Sequence, residues 1–311
     1  MKFLALDLLQ PNFLLAAVMG LALSSCSDKP ADSTDPAKPL SSSSSTAMKL
    51  SPSIEEKAFA VLREGLNATG DENYWVTIHA AEGLTLAGKG EETKVFLEPK
   101  LATETDAQHL CGVARELVRA GDRDKVSVLT EVLGRPDSFG HTHAAESLFK
   151  VFEVGDEAIM RKRFHNGADV KLRLMAAAAL ARKYADAEAF AFIRKTLTGK
   201  NPDGIQISAW ILGAIGGAED IEPIRSRLAD APTPIIRAYL EHALAALGDA
   251  EGLASLTRNL TDADSAIRTY AATFAADAKA YSTQAQLEAM LDDPFLDARV
   301  RAAATLLQLS R

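Results

Sequence analysis

Two copies of His-Ala-Ala-Glu, His79–Glu82 and His143–Glu146, are the residues of this 311-residue chain best equipped for chemistry. An imidazole and a carboxylate three apart on a helix share a face and can reach one metal ion, as in carboxylate-bridged helical bundles. Each copy supplies two ligands, whereas a tight site takes three or four. His141 lies two residues from His143 and so points elsewhere on a helix. The sequence has no Cys-x-x-Cys-His, His-Glu-x-x-His, Gly-x-Ser-x-Gly or phosphate-cradling glycine loop. The residues therefore predict no catalytic site, no metal, no cofactor and no enzyme. A metal-dependent enzyme or accessory factor using the two His-x-x-Glu motifs is the alternative.

The elements that position these motifs follow from a repeat. Apolar pairs four apart recur at Leu62/Leu66, Leu97/Leu101, Leu129/Leu133, Met160/Phe164, Ile193/Leu197, Ile224/Leu228, Leu256/Leu260 and Leu287/Leu291. Successive second members are 35, 32, 31, 33, 31, 32 and 31 residues apart. A period of this length marks a solenoid, in which each unit buries its apolar face against its neighbours. Each period holds a helix A with the apolar pair and an Ala-rich helix B, clearest at Leu172–Leu180. An aliphatic residue followed by Arg or Gln opens helix B at Leu172-Arg173, Ile205-Gln206, Ile236-Arg237, Ile267-Arg268 and Val300-Arg301. Aspartates precede these starts, suited to capping and to the helix dipole. Pro202, Pro232 and Pro294 break the chain between A and B.

This pattern resembles the HEAT repeat, in the short bacterial form similar to bilin-lyase HEAT-like repeats. The resemblance spans residues 53–311. It implies an all-α superhelix of about eight hairpins, with the B helices lining a concave face that binds a protein partner. HEAT-fold hydroxylases carry adjacent His-Glu pairs. This sequence has none, so their iron ligands are not carried over.

Aligned helices B give one row reading His79, Gly112, His143, Met175, Ser208, Tyr239, Tyr270, Ala303, and three residues on a second reading Glu82, Arg115, Glu146, Ala178, Ile211, His242, Thr273, Leu306. The first three repeats are polar. The expected binding surface is His79, Glu82, Arg115, His143 and Glu146, with Trp75 as an aromatic contact at its edge. Helix spacing of about 8–10 Å sets Glu82, Arg115 and Glu146 as a solvated charge ladder. It also separates the two His-x-x-Glu motifs by roughly 16–20 Å. Leu306, Leu307 and Leu309 close the chain without a polar cap. They are expected to pack internally, the alternative being self-association.

The N-terminus reads differently. An 11-residue apolar run, Phe13–Leu23, suits a signal peptide and is too short to span a bilayer. Leu23-Ser24-Ser25-Cys26 resembles a bacterial lipobox, which implies cleavage after residue 25 and a lipid on Cys26. Residues 26–52 are Ser/Pro-rich and form an expected disordered tether, of roughly 28 Å r.m.s. span. Cys111 is then the lone remaining cysteine, so no intrachain disulfide is expected. Leader and tether are each neutral, which leaves the formal charge of −8 on the repeats. That argues against nucleic-acid binding, and no small-molecule substrate is evident. The sequence predicts an extracytoplasmic scaffold, lipid-anchored to the cell envelope, that binds a protein.

Overall fold

The computed structural model describes residues 47–167 and 169–311. The expected signal peptide, the expected lipid site Cys26 and most of the expected tether lie outside the described residues. Among these residues there are sixteen α-helices and no strand. None is long and apolar enough to cross a membrane.

Odd-numbered helices are the A helices: α1 (Pro52–Leu66), α3 (Gly90–Thr103), α5 (Val126–Gly134), α7 (Glu157–Asn166), α9 (Ala187–Leu197), α11 (Ile221–Arg227), α13 (Ala250–Asn259) and α15 (Gln284–Ala289). Even-numbered helices are the B helices: α2 (Tyr74–Leu86), α4 (Ala107–Arg119), α6 (His141–Lys150), α8 (Val170–Tyr184), α10 (Pro202–Ile215), α12 (Pro234–Ala246), α14 (Ser265–Asp277) and α16 (Leu296–Leu309). The apolar pairs behave as the periodicity predicts, with Leu62, Leu97, Leu129, Met160, Ile193, Ile224, Leu256 and Leu287 all buried. Several starts are fixed by side-chain caps. Asp169 Oδ1 accepts from Leu172 N at 2.9 Å, Asn201 Oδ1 from Gly204 N at 2.8 Å, and Asp264 Oδ1 from Ala266 N at 2.8 Å. Pro202 and Pro234 sit in first turns, where a missing N–H costs nothing.

A periodic staple joins successive repeats. Arg161 of α7 meets Asp186 at 2.8 Å, Arg194 of α9 meets Asp220 at 2.7 Å, and Arg225 of α11 meets Asp249. Asp186 and Asp249 also cap α9 and α13, so one carboxylate ends one repeat and starts the next.

The array is not open. Each B helix packs on the next, from α2 through α16, and α16 packs in turn on α2 and α1. The eight B helices thus form a closed inner ring, with the A helices outside. The seam has several ties. Met48 N donates to Leu309 O at 2.8 Å, Lys57 pairs with Asp292 at 2.6 Å, and Arg299 pairs with Glu64. Two glycines admit the close approach. A Cβ at Gly65 would stand 2.5 Å from Val300 Cγ2, and one at Gly83 would stand 2.9 Å from Ala304 Cβ. Leu306, Leu307 and Leu309 are buried, in a helix that packs on the first repeat as well as on α14. Their internal packing is as expected, but the open end is not there. The terminal hairpins cap each other.

Candidate functional site

The closed ring turns the expected concave surface inward. His79, Glu82, Arg115, His143 and Glu146 are buried, and Trp75 is half-buried. The row is an interior, not an open face for a partner. An arc of two repeats across a ring also brings inward side chains closer than the regular 16–20 Å spacing of helix axes allows.

The alignment of the last repeat needs a correction of two residues. Arg268 Nη1 donates to Asp262 O at 2.7 Å, and His141 Nε2 lies 3.0 Å from Arg135 O. Arg299 makes the same bond to Asp293 O at 3.0 Å. Arg299, not Arg301, is therefore the equivalent of Arg268. The inner row ends on Arg301 in place of Ala303, and a charge enters the ring.

That charge meets Glu82. Arg301 Nη1 donates to Glu82 Oε2 at 3.1 Å, and Arg119 Nη2 stands 2.8 Å from Glu82 Oε1. Glu116 joins the same group, bonded by Arg115 Nε at 2.6 Å and Arg119 Nε at 2.9 Å. Within α6, Lys150 Nζ lies 3.2 Å from Glu146 Oε1. The expected solvated ladder of Glu82, Arg115 and Glu146 is instead a buried network drawn from four helices. Burial pushes the Glu82 carboxyl up, but Arg119, Lys150, Arg301 and Arg115 outweigh it and hold the group below its ordinary range. Charges taken out of water persist only with such partners.

One helical turn further along, burial drives Asp277 up to about 8, against the pull of Arg182 and with the push of Glu82. Burial likewise lowers Arg182 to about 10, helped by Arg119. Nothing in the sequence marked these two residues, because each is the ordinary charged end of an Ala-rich helix.

The first three repeats are also joined by rings. The Trp75 indole stacks on the His143 imidazole, with centroids 5.3 Å apart and planes 20° apart. Helix α4 lies between their helices. A Cβ on Gly112 would stand 3.2 Å from Trp75 Cζ3, so the missing side chain gives the indole its path. Tyr74 stacks on His109 at 3.5 Å, edge-on to Trp75 at 5.2 Å. His79 Nδ1 lies 2.7 Å from Asp297 Oδ1 across the seam. Among the described residues no three His, Cys, Asp or Glu side chains converge as metal ligands.

Further round the ring, the second row also carries His242. His242 is fully buried with Asn259 Nδ2 3.0 Å from its Nε2, and burial lowers it to about 3. Cys111 is buried, and burial pushes its thiol up to about 12.

Residues 157–245 match the family described as HEAT repeats. No curated protein matches the chain. Among solved structures, human deoxyhypusine hydroxylase in complex with glycerol is similar at 15% identity and a TM-score of 0.40, over 82% of this chain and 97% of that one. The described residues are all-α, as the sequence predicts, and within them residues 157–245 carry the HEAT-repeat match. The expectation that it is not an enzyme does not stand, because a helical-repeat architecture does not speak against catalysis. At this level of likeness no activity is assigned to the present chain.

Proposed function

We propose that this chain is a lipid-anchored extracytoplasmic adaptor that holds a basic protein partner at the cell envelope. HEAT repeats generally mediate protein interactions. With the inner row used up inside the ring, the partner meets the connections from A to B helices. The carrying observation is the charge of that edge. Asp71, Glu104, Asp137, Asp230, Asp262 and Asp292 each stand on a different A-to-B connection, and Asp71, Asp137, Asp230 and Asp292 are exposed. Arg135 and Lys200 are the cations of the same connections. Phe139 and Phe295 add exposed rings to that edge, at 53% and 46%. A negative rim with scattered aromatics steers and anchors a positive surface.

The chain enters the ring beside Leu309, at the end of the last B helix and so on the opposite edge. The test is crosslinking and affinity capture of the lipidated protein from its native envelope. Capture of one dominant basic partner, lost in an Asp71→Lys/Asp137→Lys/Asp230→Lys variant, supports the reading. Capture unchanged by the reversal removes it. Cys26→Ser should release the protein into the soluble fraction, and continued detergent-phase partition would contradict the anchor.

A further inference from the structure

An open cavity of about 580 Å³ lies where α4, α6, α8 and α10 begin, with His143 and Glu146 among its lining residues. Its size is within the roughly 300–1,000 Å³ of small-molecule sites. The charges around it decide what it accepts. Glu146 is paired with Lys150 at 3.2 Å, and Lys171 with Asp203 at 3.1 Å. Asp169 caps α8 through Leu172 N. Glu146, Lys171 and Asp203 are thus ion-paired and Asp169 is held by the backbone at the start of α8, so none of these side chains calls for a fully charged ligand.

What the wall still offers is neutral. Gln108 and Thr142 present an amide and a hydroxyl, and Asn201 spends its Oδ1 on Gly204 while keeping its amide N–H2. Phe139 contributes a half-exposed ring and Val170 an apolar patch. Planar amides beside a hydroxyl suit a ligand whose hydroxyl groups both donate and accept. An aromatic face suits one with a sheet of weakly positive C–H bonds. A sugar ring has both. We infer that this cavity binds a neutral mono- or disaccharide, free or as the exposed end of a polysaccharide.

The inference shares Phe139 with the adaptor edge but does not rest on the anchor or on that edge's aspartates. Its test is saturation-transfer NMR and calorimetry on the full chain with cellobiose, maltose and N,N′-diacetylchitobiose. Glucuronate and glucosamine serve as charged counterparts. Cosedimentation with cellulose, chitin and peptidoglycan sacculi separates a polymer end from a free sugar. At least one neutral disaccharide should bind, weaken about fivefold or more in Phe139→Ala, and weaken again in Gln108→Ala. Phe139 is exposed, so its truncation leaves the ring intact, which circular dichroism verifies. Three results would each overturn the inference: no neutral saccharide bound at 10 mM, tighter binding of a charged counterpart, or an affinity indifferent to Phe139→Ala.

Discussion

Arg301 and Glu82 stand 219 residues apart in the chain and 3.1 Å apart in the ring. Their bond joins the last repeat to the first, and Glu82 also forms an ion pair with Arg119 at 2.8 Å. The seam is thus part of the buried charge network and not a late surface contact. Glu82→Gln strips two guanidinium groups of their shared carboxylate. Breaking a buried pair on one side costs about 3–5 kcal/mol. Urea unfolding should show a loss of that order, and a loss below ~1 kcal/mol would mean the network does not hold the ring.

Gly83 tests closure by shape alone. A Cβ there would stand 2.8 Å from Leu62 Cδ2 and 2.9 Å from Ala304 Cβ. Gly83→Val should cost about 1–3 kcal/mol through overpacking. Amide exchange should speed up in α1, α2 and α16 before it does in α8 or α10. Uniform acceleration round the ring would contradict a local seam.

Asp277 makes the protein less stable as pH rises. Its folded value of about 8 is above the ordinary ~3.9 of an unfolded aspartate. The folded state therefore holds the extra proton between those limits, and stability falls across them, by up to about 1.4 kcal/mol per pH unit. Asp277→Asn should flatten that fall between about pH 5 and 8. An unchanged slope in chemical denaturation would refute it.

His242 acts with the opposite sign. Its folded value of about 3 lies below the ~6.5 of an unfolded histidine. Stability is complete above about pH 6.5 and is lost as pH falls towards 3. His242→Gln should retain more of its neutral-pH stability at pH 4.5 than the parent chain does. The two groups oppose each other between about pH 4 and 6.5, so each slope is read in the other's variant background.

Cys111 should be silent in the native state. Burial and a thiol pushed up to about 12 leave almost no thiolate at pH 8. Iodoacetamide should label it only after unfolding. Native labelling on the timescale of minutes would show that α4 opens locally.

The repeat was legible because each apolar pair and each Ala-rich helix is a local pattern. Leu197 or Ala178 needs only its own hairpin and the next to explain it. The polar row was legible too, as residue types on one face. Its meaning was not. Whether His79 and Glu82 face water depends on α16, more than 200 residues away, and no spacing within a repeat encodes that. Gly65 and Gly83 were the available signal, two small residues where neighbouring repeats carry larger ones. The misplaced Arg301 hid the other, since Ala303 in the row left Glu82 without its partner. The cavity beside Phe139 was illegible for a similar reason, being built from the starts of four helices in four repeats.

A linear row of repeats can gain or lose a unit and remain a row. This one cannot. With the first and eighth hairpins sharing Glu82, Arg301, Gly65 and Val300, the arc turned by each unit is fixed by the need to meet after eight. A ninth hairpin would require every joint to bend less, and a seventh would require every joint to bend more. Repeat number, usually the variable that duplication changes most freely, is here set by geometry, and drift must act on the connections and outer faces instead.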